Sequence, residues 1–350
     1  MQGAGRYYEV EKDDWPHKSI KTQVPFGQAK HFQTACPMVD VLVFTDALVT
    51  SSILTLLTIG LTLTYLTTKV PNFAHGTFAT VGIYIGLIVS KVLGQSIYLG
   101  MVPGFFLGGL VALFQYIAFL RPMIKKNASI TSLEVATIAF DILMIAILNI
   151  LADYIQTGFK IDSRTFLLAS LDFSFFGLRG IVLVSPILVV ALTVGLFLIL
   201  NKTKFGIAMR ATIENPPLAG TVGINTNLVY IVAWFIAGGL AGMVGSITTL
   251  WYIGNPNVGS DIFLINIFAA AVVGGIRKIH GAVIGGFVVG VTQSVIIREL
   301  AGVVGAWIIP YQPLIPLIAM VVTLLIAPDG ITGIDTRKLS KKLRKKADAQ

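Results

Sequence analysis

The class of this protein is indicated by residues 47–76, which read ALVTSSILTLLTIGLTLTYLTTKVPNFAHG. Residues 47–68 form an apolar run of the length that crosses a bilayer, about 20 residues. The polar, glycine-ended segment 72–76 separates it from the next apolar run. Lipid tolerates irregular backbone only beside protein or a water-filled path, so we predict that this segment lines a transport route; a surface turn between two spans is the alternative. The site residues predicted here are Asn72, Phe73, His75 and Gly76.

Composition places the chain in a membrane. Of its 350 residues, 55% are hydrophobic and only 12% are charged, and the mean hydropathy is +0.82. A soluble domain is about 45–50% apolar, so this chain has too much apolar surface for a soluble core. We therefore predict a polytopic membrane protein that is all-α, a bundle of transmembrane helices.

The sequence contains no recognisable catalytic or metal-binding constellation. The single Cys36 excludes an internal disulfide framework and a multi-cysteine metal cluster. The four histidines are scattered without an HExxH pair, and no GxxxxGK(S/T) phosphate loop occurs. We predict no enzymatic activity, no metal and no cofactor, so that the energy for transport comes from a partner or an ion gradient.

Apolar runs divide the chain into eight to ten predicted membrane segments. The runs long enough to cross a bilayer, of which the one at 131–152 is less clean, lie near 47–68, 92–120, 131–152, 181–200, 226–250 and 303–326. Shorter apolar pieces lie at 77–90, 262–276 and 282–297. The short pieces are tilted, half-inserted or continuous with their neighbours, which leaves the number of spans as a range.

Lysine and arginine cluster at four places, and the positive-inside rule assigns all four to the cytoplasm. Alternation from them places 153–179, 251–261 and, by parity, the N-terminus outside the cell. The net charge of +9 comes largely from a juxtamembrane tail, which predicts lipid as a partner and no nucleic acid. The clusters are Arg121/Lys125/Lys126, Lys202/Lys204/Arg210, Arg277/Lys278 and the tail from Arg337 to Lys346.

Three regions are predicted along the chain. Residues 1–40 mix both charges with prolines and aromatics and have no signal-peptide core, so they form an extramembrane segment that is disordered or lies upstream of a natural start at Met38. Residues 41–333 form the transmembrane domain. Residues 334–350 form the basic cytoplasmic tail of a multi-pass plasma-membrane protein.

Glycines recur at four-residue spacing inside the apolar segments. Small residues one turn apart let helix backbones approach closely in lipid. We interpret the spacing as tight packing within one bundle, and a specific dimer seam is the alternative. The pairs are Gly82/Gly86, Gly104/Gly108, Gly238/Gly242, Gly281/Gly285 and Gly286/Gly290.

One acidic residue, Asp141, stands inside an apolar segment. Glu134 and Asn149 share its helix face by spacing. An ionisable group at that depth is costly and indicates a functional pathway by default. The alternatives are that Glu134 lies at the cytoplasmic interface and that Asp141 is paired within the bundle.

The segment from Lys202 to Asn225 predicts a helical loop that projects between two spans. A short helix covers 205–214, Asn215 caps the next helix, Pro216 suits its first turn, and Gly223 ends it. Such a loop is suited to docking a cytoplasmic partner. It could equally be an amphipathic connector lying on the membrane surface.

These motifs together resemble the LivH-type permease family of branched-chain amino acid ABC importers. The matches follow the family order from about Gly60 to Gly333, and their joint specificity is high. They are GLTLTY at 60–65, NFAHG at 72–76, RP at 121–122, RA at 210–211 with Glu214, GIN at 223–225, NP at 255–256, AAVVGG at 270–275, GA at 281–282, GG at 285–286 and PDG at 328–330.

The resemblance implies a permease subunit without enzymatic activity. Its implied partners are a second, related permease subunit, two cytoplasmic ATP-binding subunits and an extracytoplasmic solute-binding protein. It makes 205–223 the loop that couples to the ATPases, and Gly274 and Gly275 join Asp141 and the 72–76 segment as pathway residues. The coupling residues are Arg210, Glu214, Asn215 and Gly223.

Substrate is left open by departures from the family pattern. The family usually has a small polar residue at Asp141 and a Lys at Asn266. Relatives of this type move branched-chain amino acids, other amino acids, urea or short amides. From another class, a secondary transporter or channel with Asp141 and Glu134 as ion sites is the alternative, and whether the pore pairs identical or related subunits is open.

Overall fold

The computed structural model describes residues 37–333, with side chains from residue 41 onward. Of the predicted segment 1–40, only the helical backbone of 37–40 is described. The rest of that segment and the predicted basic tail at 334–350 lie outside the described residues.

Helices make up almost all of the described chain. They are α1 (Pro37–Thr68), α2 (His75–Leu87), α3 (Met101–Phe114), α4 (Arg121–Lys125), α5 (Ile130–Phe159), α6 (Gly180–Lys202), α7 (Lys204–Glu214), α8 (Pro216–Thr221), α9 (Thr226–Thr248), α10 (Leu264–Gly274), α11 (Ile279–Val304) and α12 (Leu314–Ile326). Strands β1 (Ser174–Phe175) and β2 (Leu178–Arg179) form an antiparallel hairpin.

Short π and 3-10 segments extend several of these helices. The π segments are Ile88–Val92, Gln115–Leu120 and Gly259–Phe263, and the 3-10 segments are Ile97–Gly100, Ala169–Leu171, Ala306–Tyr311 and Ile331–Gly333. Ile88–Val92 extends α2, Ile97–Gly100 and Gln115–Leu120 extend α3 at its two ends, and Gly259–Phe263 extends α10.

Eight helical segments of the described chain are long and apolar enough to cross a membrane. They are Val41–Thr68, His75–Val92, Ile97–Lys125, Ile130–Phe159, Gly180–Lys202, Thr226–Thr248, Ile279–Val304 and Leu314–Gly333, and Gly259–Gly274 is a shorter apolar helix. The predicted all-α bundle of eight to ten membrane segments is confirmed.

Several predicted boundaries were wrong. The pieces at 77–90 and 282–297 belong to the full-length segments His75–Val92 and Ile279–Val304. The single run predicted at 303–326 is divided, because Gly305 adopts φ +112° and the 3-10 segment Ala306–Tyr311 intervenes before α12.

Basic residues gather at one end of the bundle, which we call the basic end. Burial lowers the pKa of Lys69 below its ordinary value, and the charge of nearby Arg277 lowers it further. Arg277 Nη1 lies 3.9 Å from Asp329 Oδ1, and Lys278 Nζ donates to the Thr332 carbonyl at 3.0 Å. The turns before α2, before α11 and after α12 therefore meet here.

The other end of the bundle joins the two segments that were predicted to lie outside. Phe166 and Gly254 exchange backbone hydrogen bonds of 3.0 and 2.8 Å, and the Leu168 amide donates to the Thr249 carbonyl at 2.9 Å. The α7–α8 loop lies at the basic end, because Phe197 near the end of α6 contacts the ring of His280, close to Lys278, at 5.5 Å. Since α9 runs from that loop to the Phe166–Gly254 contact, we call the end with this contact the far end. The segments 153–179 and 251–261 thus lie at the same end of the bundle, which is consistent with the prediction that both lie outside the cell.

The predicted close packing at glycines is confirmed. A Cβ at Gly82 would lie 2.0 Å from the Gly242 carbonyl oxygen, and one at Gly108 would lie 2.5 Å from that of Gly238. These helix pairs all lie within one chain. The interpretation as intrachain packing of α2, α3 and α9 therefore explains these glycines.

Candidate functional site

The interruption at 72–76 is a compact turn held by buried hydrogen bonds. Asn72 Oδ1 accepts from the Ala74 amide at 3.2 Å and from Gln115 Nε2 at 3.0 Å, and Asn72 is fully buried. The Phe73 amide donates to Thr137 Oγ1 at 3.2 Å. The turn is thus fixed against α5 and the π segment after α3, as lipid-buried irregular backbone requires.

The two ring-bearing residues of the turn pack inside the protein. His75 Nε2 lies 3.0 Å from the Leu57 carbonyl oxygen of α1, and His75 is 0% exposed. The glycine at Gly60 makes room for the ring, because a Cβ there would lie 2.8 Å from His75 Nε2. Phe73 stacks on Phe268 of α10 at 5.0 Å. Both side chains are packed in this conformation, and their role in a transport route remains a prediction.

Gly76 brings α2 into backbone contact with the π segment that begins α10. A Cβ at Gly76 would lie 2.1 Å from the Gly259 carbonyl oxygen. One turn later, Thr80 Oγ1 accepts from the Gly259 amide at 3.1 Å. Glycine is required here by close approach, in addition to the freedom it gives the turn.

Asp141 is satisfied by hydroxyl groups of two other segments. Ser260 Oγ donates to the carboxylate at 2.9 and 2.8 Å, and Thr77 Oγ1 also donates to it. Asp141 is 7% exposed. The carboxylate therefore ties α5 to α2 and to the Gly259–Phe263 segment, which is the pairing within the bundle that the sequence left as an alternative.

The structure separates the other two polar residues of the predicted α5 face from this carboxylate network. Asn149 Nδ2 donates to Asn257 Oδ1 at 3.2 Å near the far end, and the Glu134 carbonyl accepts from Thr137 at 2.8 Å. Among the described residues, no group of three or more His, Cys, Asp or Glu side chains could hold a metal ion.

Gly274 and Gly275 form the tight turn between α10 and α11 at the basic end. Gly275 has φ +101°, a conformation that favours glycine. Thr332 Oγ1 donates to the Gly274 carbonyl at 2.7 Å, which fastens the chain after α12 to the turn. The structure gives these glycines a packing role, and the predicted pathway role stays a prediction.

A cavity of about 580 Å³ lies between α1, α10, α11 and the Ala306–Tyr311 segment. None of its lining residues is charged; the polar ones are Thr50, Tyr252, Asn255, Asn266, Gln293 and Gln312. Leu57 lines the cavity while its carbonyl faces His75 Nε2, and Val258 in the wall precedes Gly259, the neighbour of Gly76. The 72–76 turn therefore lies directly behind the cavity wall.

Sequence reasoning did not select the cavity residues. Asn266 was noted only as a departure from the family pattern, and Gln293 was not noted. A lone Gln in an apolar segment was the available signal for Gln293. The sequence gives no such signal for Tyr252, because its hydroxyl contacts Thr50 Oγ1, which lies far away in sequence, at 2.5 Å.

The predicted helices of the 202–225 loop are confirmed. Thr203 Oγ1 caps α7 by accepting from the Gly206 amide at 3.2 Å, and Asn215 Oδ1 caps α8 by accepting from the Leu218 amide at 3.1 Å. Gly223 follows α8 with φ +84°. We call this unit the α7–α8 corner.

Among the predicted coupling residues, Arg210 and Glu214 are exposed on α7, and Arg210 donates to Asn201 Oδ1 at 3.1 Å. The corner also presents two apolar side chains that the sequence analysis did not select. Leu218 is 60% exposed and Val222 is 70% exposed. Exposed apolar side chains of this kind are typical of a contact with another protein or with the membrane surface.

Comparison with known proteins gives a consistent set of relatives. The family model for the branched-chain amino acid transport system permease component matches residues 43–327. A protein of Methanocaldococcus jannaschii described as the probable branched-chain amino acid transport permease protein LivH is 43% identical over 302 residues, covering 86% of this chain and 95% of that protein.

More distant proteins align over similar lengths. The high-affinity branched-chain amino acid transport system permease protein BraD of Pseudomonas aeruginosa is 28% identical, covering 82% of this chain and 94% of that protein. A chain of PsaBC from Streptococcus pneumoniae in complex with Fab aligns with a TM-score of 0.48 and 14% identity, over 84% of this chain and 96% of that chain.

Proposed function

This chain belongs to the branched-chain amino acid transport permease family, and we propose that it is the membrane-spanning permease subunit of an ATP-driven importer of branched-chain amino acids. Its proposed partners are two cytoplasmic ATP-binding subunits, a second related permease and an extracytoplasmic solute-binding protein. It does no chemistry itself, because the ATP-binding subunits hydrolyse the nucleotide.

The α7–α8 corner is the observation that best supports an ATP-driven mechanism. It is a capped, compact unit at the basic end that exposes Leu218 and Val222. A carrier that works alone has no use for such a docking element, whereas an importer subunit must receive the movement of its ATPases. We therefore assign the corner as the coupling element.

The cavity favours an amino acid with an aliphatic side chain over the other substrates considered. Its volume of about 580 Å³ is within the range of small-molecule sites, roughly 300–1,000 Å³. Ile53, Leu54 and Phe263 contribute apolar wall, which urea or a short amide would leave without a partner. An ion-coupled carrier using Asp141 is less well supported, because that carboxylate is already held by Thr77 and Ser260.

Uptake by the reconstituted complex tests this function. The chain is assembled in proteoliposomes with its ATP-binding subunits, second permease and binding protein, and leucine uptake is measured with and without enclosed ATP. We expect uptake only with ATP. Uptake driven by a proton or sodium gradient without ATP would establish the secondary transporter instead, and uptake of urea but not leucine would exclude the proposed substrate.

The orientation follows from the basic end, which we propose to be cytoplasmic in the plasma membrane. Lys69, Arg277 and Lys278 lie there, and the positive-inside rule retains such residues in the cytoplasm. A reporter that is active only outside the cytoplasm should stay silent when fused after Lys346. The same reporter inserted between β1 and β2, in the far-end hairpin, should be active. The opposite pattern would reverse the orientation.

A further inference from the structure

Two buried amide side chains of the cavity lack hydrogen-bond partners. Asn266 of α10 is 7% exposed and Gln293 of α11 is 2% exposed. Neither Asn266 Oδ1 nor Gln293 Oε1 has a partner in the described protein, although both residues line the cavity. Buried polar groups in folded proteins are nearly always hydrogen-bonded, so these two amides are suited to receiving a ligand.

The cavity wall dictates the net charge of that ligand. The lining residues carry no charge, and a net charge buried without a counter-charge is strongly unfavourable. Each amide carries an acceptor oxygen and two N–H donors. Asn266 and Gln293 together can accept from an ammonium group and donate to a carboxylate, which matches a zwitterion and leaves no net charge in the cavity.

The apolar residues of the cavity wall determine which ligand side chain the cavity favours. Ile53 and Leu54 of α1 and Ile262 and Phe263 of the π segment line the cavity. Burying an aliphatic group against such apolar surface is favourable, and burying a polar group there without a hydrogen bond is unfavourable. The two amides therefore orient the ligand, and the aliphatic wall selects its side chain.

We propose that this cavity is a membrane-embedded selectivity site in which Asn266 and Gln293 bind the α-ammonium and α-carboxylate groups of an aliphatic amino acid. The proposal rests on the proposed function and adds to it a second point of selection within the permease, separate from the solute-binding protein. The site accepts zwitterions and rejects aliphatic amines and aliphatic acids of the same size.

Equilibrium binding to the full chain assembled with its partner subunits in nanodiscs tests the site, with ATP and binding protein left out. The probes are leucine, isopentylamine and 4-methylpentanoate. Wild type should bind leucine and neither of the singly charged probes. Gln293→Leu and Asn266→Leu should each weaken leucine binding on the order of tenfold, as expected for a lost hydrogen bond to a buried group.

Matched variants separate the site from general damage to the fold. Ser294 is the neighbour of Gln293 on α11 and is also buried without a partner, but it is not among the residues that line the cavity, so Ser294→Ala should bind leucine as wild type does. Gln293→Glu supplies a counter-charge and should bind isopentylamine, a gain that misfolding cannot produce. Wild-type leucine affinity in both Leu variants, or an equal loss in Ser294→Ala, would overturn the proposal.

The outcomes for the site and for the function are distinguishable. ATP-driven leucine uptake together with wild-type equilibrium binding of leucine in Gln293→Leu and Asn266→Leu would leave the proposed function standing and remove this site. Leucine binding that depends on both amides, in a complex without ATP-driven uptake, would keep the site and remove the function.

Discussion

Replacing Gly76 with Val should abolish uptake and lower the thermal stability of the complex, while the protein should still insert into the membrane. A Cβ at this position would lie 2.1 Å from the Gly259 carbonyl oxygen, so the backbone of the Gly259–Phe263 segment must move. Overpacking a well-packed interior costs about 1–3 kcal/mol, and we expect the upper part of that range because the obstacle is backbone. Uptake and thermal unfolding of the purified complex measure the two effects.

The displacement reaches the cavity as well as the turn. Gly259 follows Val258, which lines the cavity, and precedes Ser260, which donates to Asp141. A shift of this segment therefore disturbs the cavity wall and the carboxylate network together. This is why the expected loss of uptake exceeds what the stability change alone would cause.

Gly195→Val is the matched control for this experiment. Gly195 lies in the transmembrane helix α6, and a Cβ there would meet nothing within 4 Å. It carries the same glycine-to-valine change in lipid without a steric conflict, so uptake and melting should resemble wild type. Normal uptake and stability in Gly76→Val would reduce the 72–76 segment to a plain turn.

The α7–α8 corner was predictable because its signals are local. Asn215 and Pro216 define a helix start within two positions, and Gly223 defines its end, so no distant contact was needed. The apolar runs predicted the membrane class for a similar reason, since backbone satisfaction in lipid depends on each segment's own length and composition.

The short pieces were underestimated because charged residues end the apolar run before the helix ends. Lys91 follows 77–90 and Arg298 follows 282–297, yet the helical segments continue to Val92 and Val304. Gly286 and Gly290 of α11 lie against α1, where a Cβ on either would come within 2.4 Å of the Thr55 or Ser51 Cα. These glycines lie inside the predicted piece 282–297 and pack the helix that extends beyond it. Spacing predicted the contacts, but the partner helices could be found only in three dimensions.

The candidate site was only partly predictable from sequence, because its contacts join residues that are far apart along the chain. Asn72, His75 and Asp141 were selected as polar residues in apolar surroundings, yet each forms buried hydrogen bonds with residues of the surrounding helices. Asn72 Nδ2 and His75 Nδ1 also lack partners, but of these four residues only Gln293 and Asn266 line the cavity. They lie on different helices and converge only through the packing of α10 on α11. Sequence shows which residues are polar, and only the fold shows which of them remain unpaired.

Changing Leu218 and Val222 together to Asp should eliminate ATP-driven uptake and release the ATP-binding subunits from the purified complex. These side chains are 60% and 70% exposed, so the permease itself should melt as wild type does. A carboxylate buried in an interface without a counter-charge is strongly unfavourable, so two of them in one small corner should dissociate the complex. Co-purification of the ATP-binding subunits and leucine uptake are the measurements.

Conservative and flanking variants show whether the corner acts through its shape and apolar surface. Leu218→Met with Val222→Ile keeps both features and should retain assembly and uptake. Glu214→Lys, at the end of α7, should also abolish uptake, while the extracytoplasmic binding protein still docks at the far end. Because the corner is the proposed receiver of ATPase movement, normal uptake in the double Asp variant would exclude it as the coupling element and would return the 205–223 segment to a connector on the membrane surface.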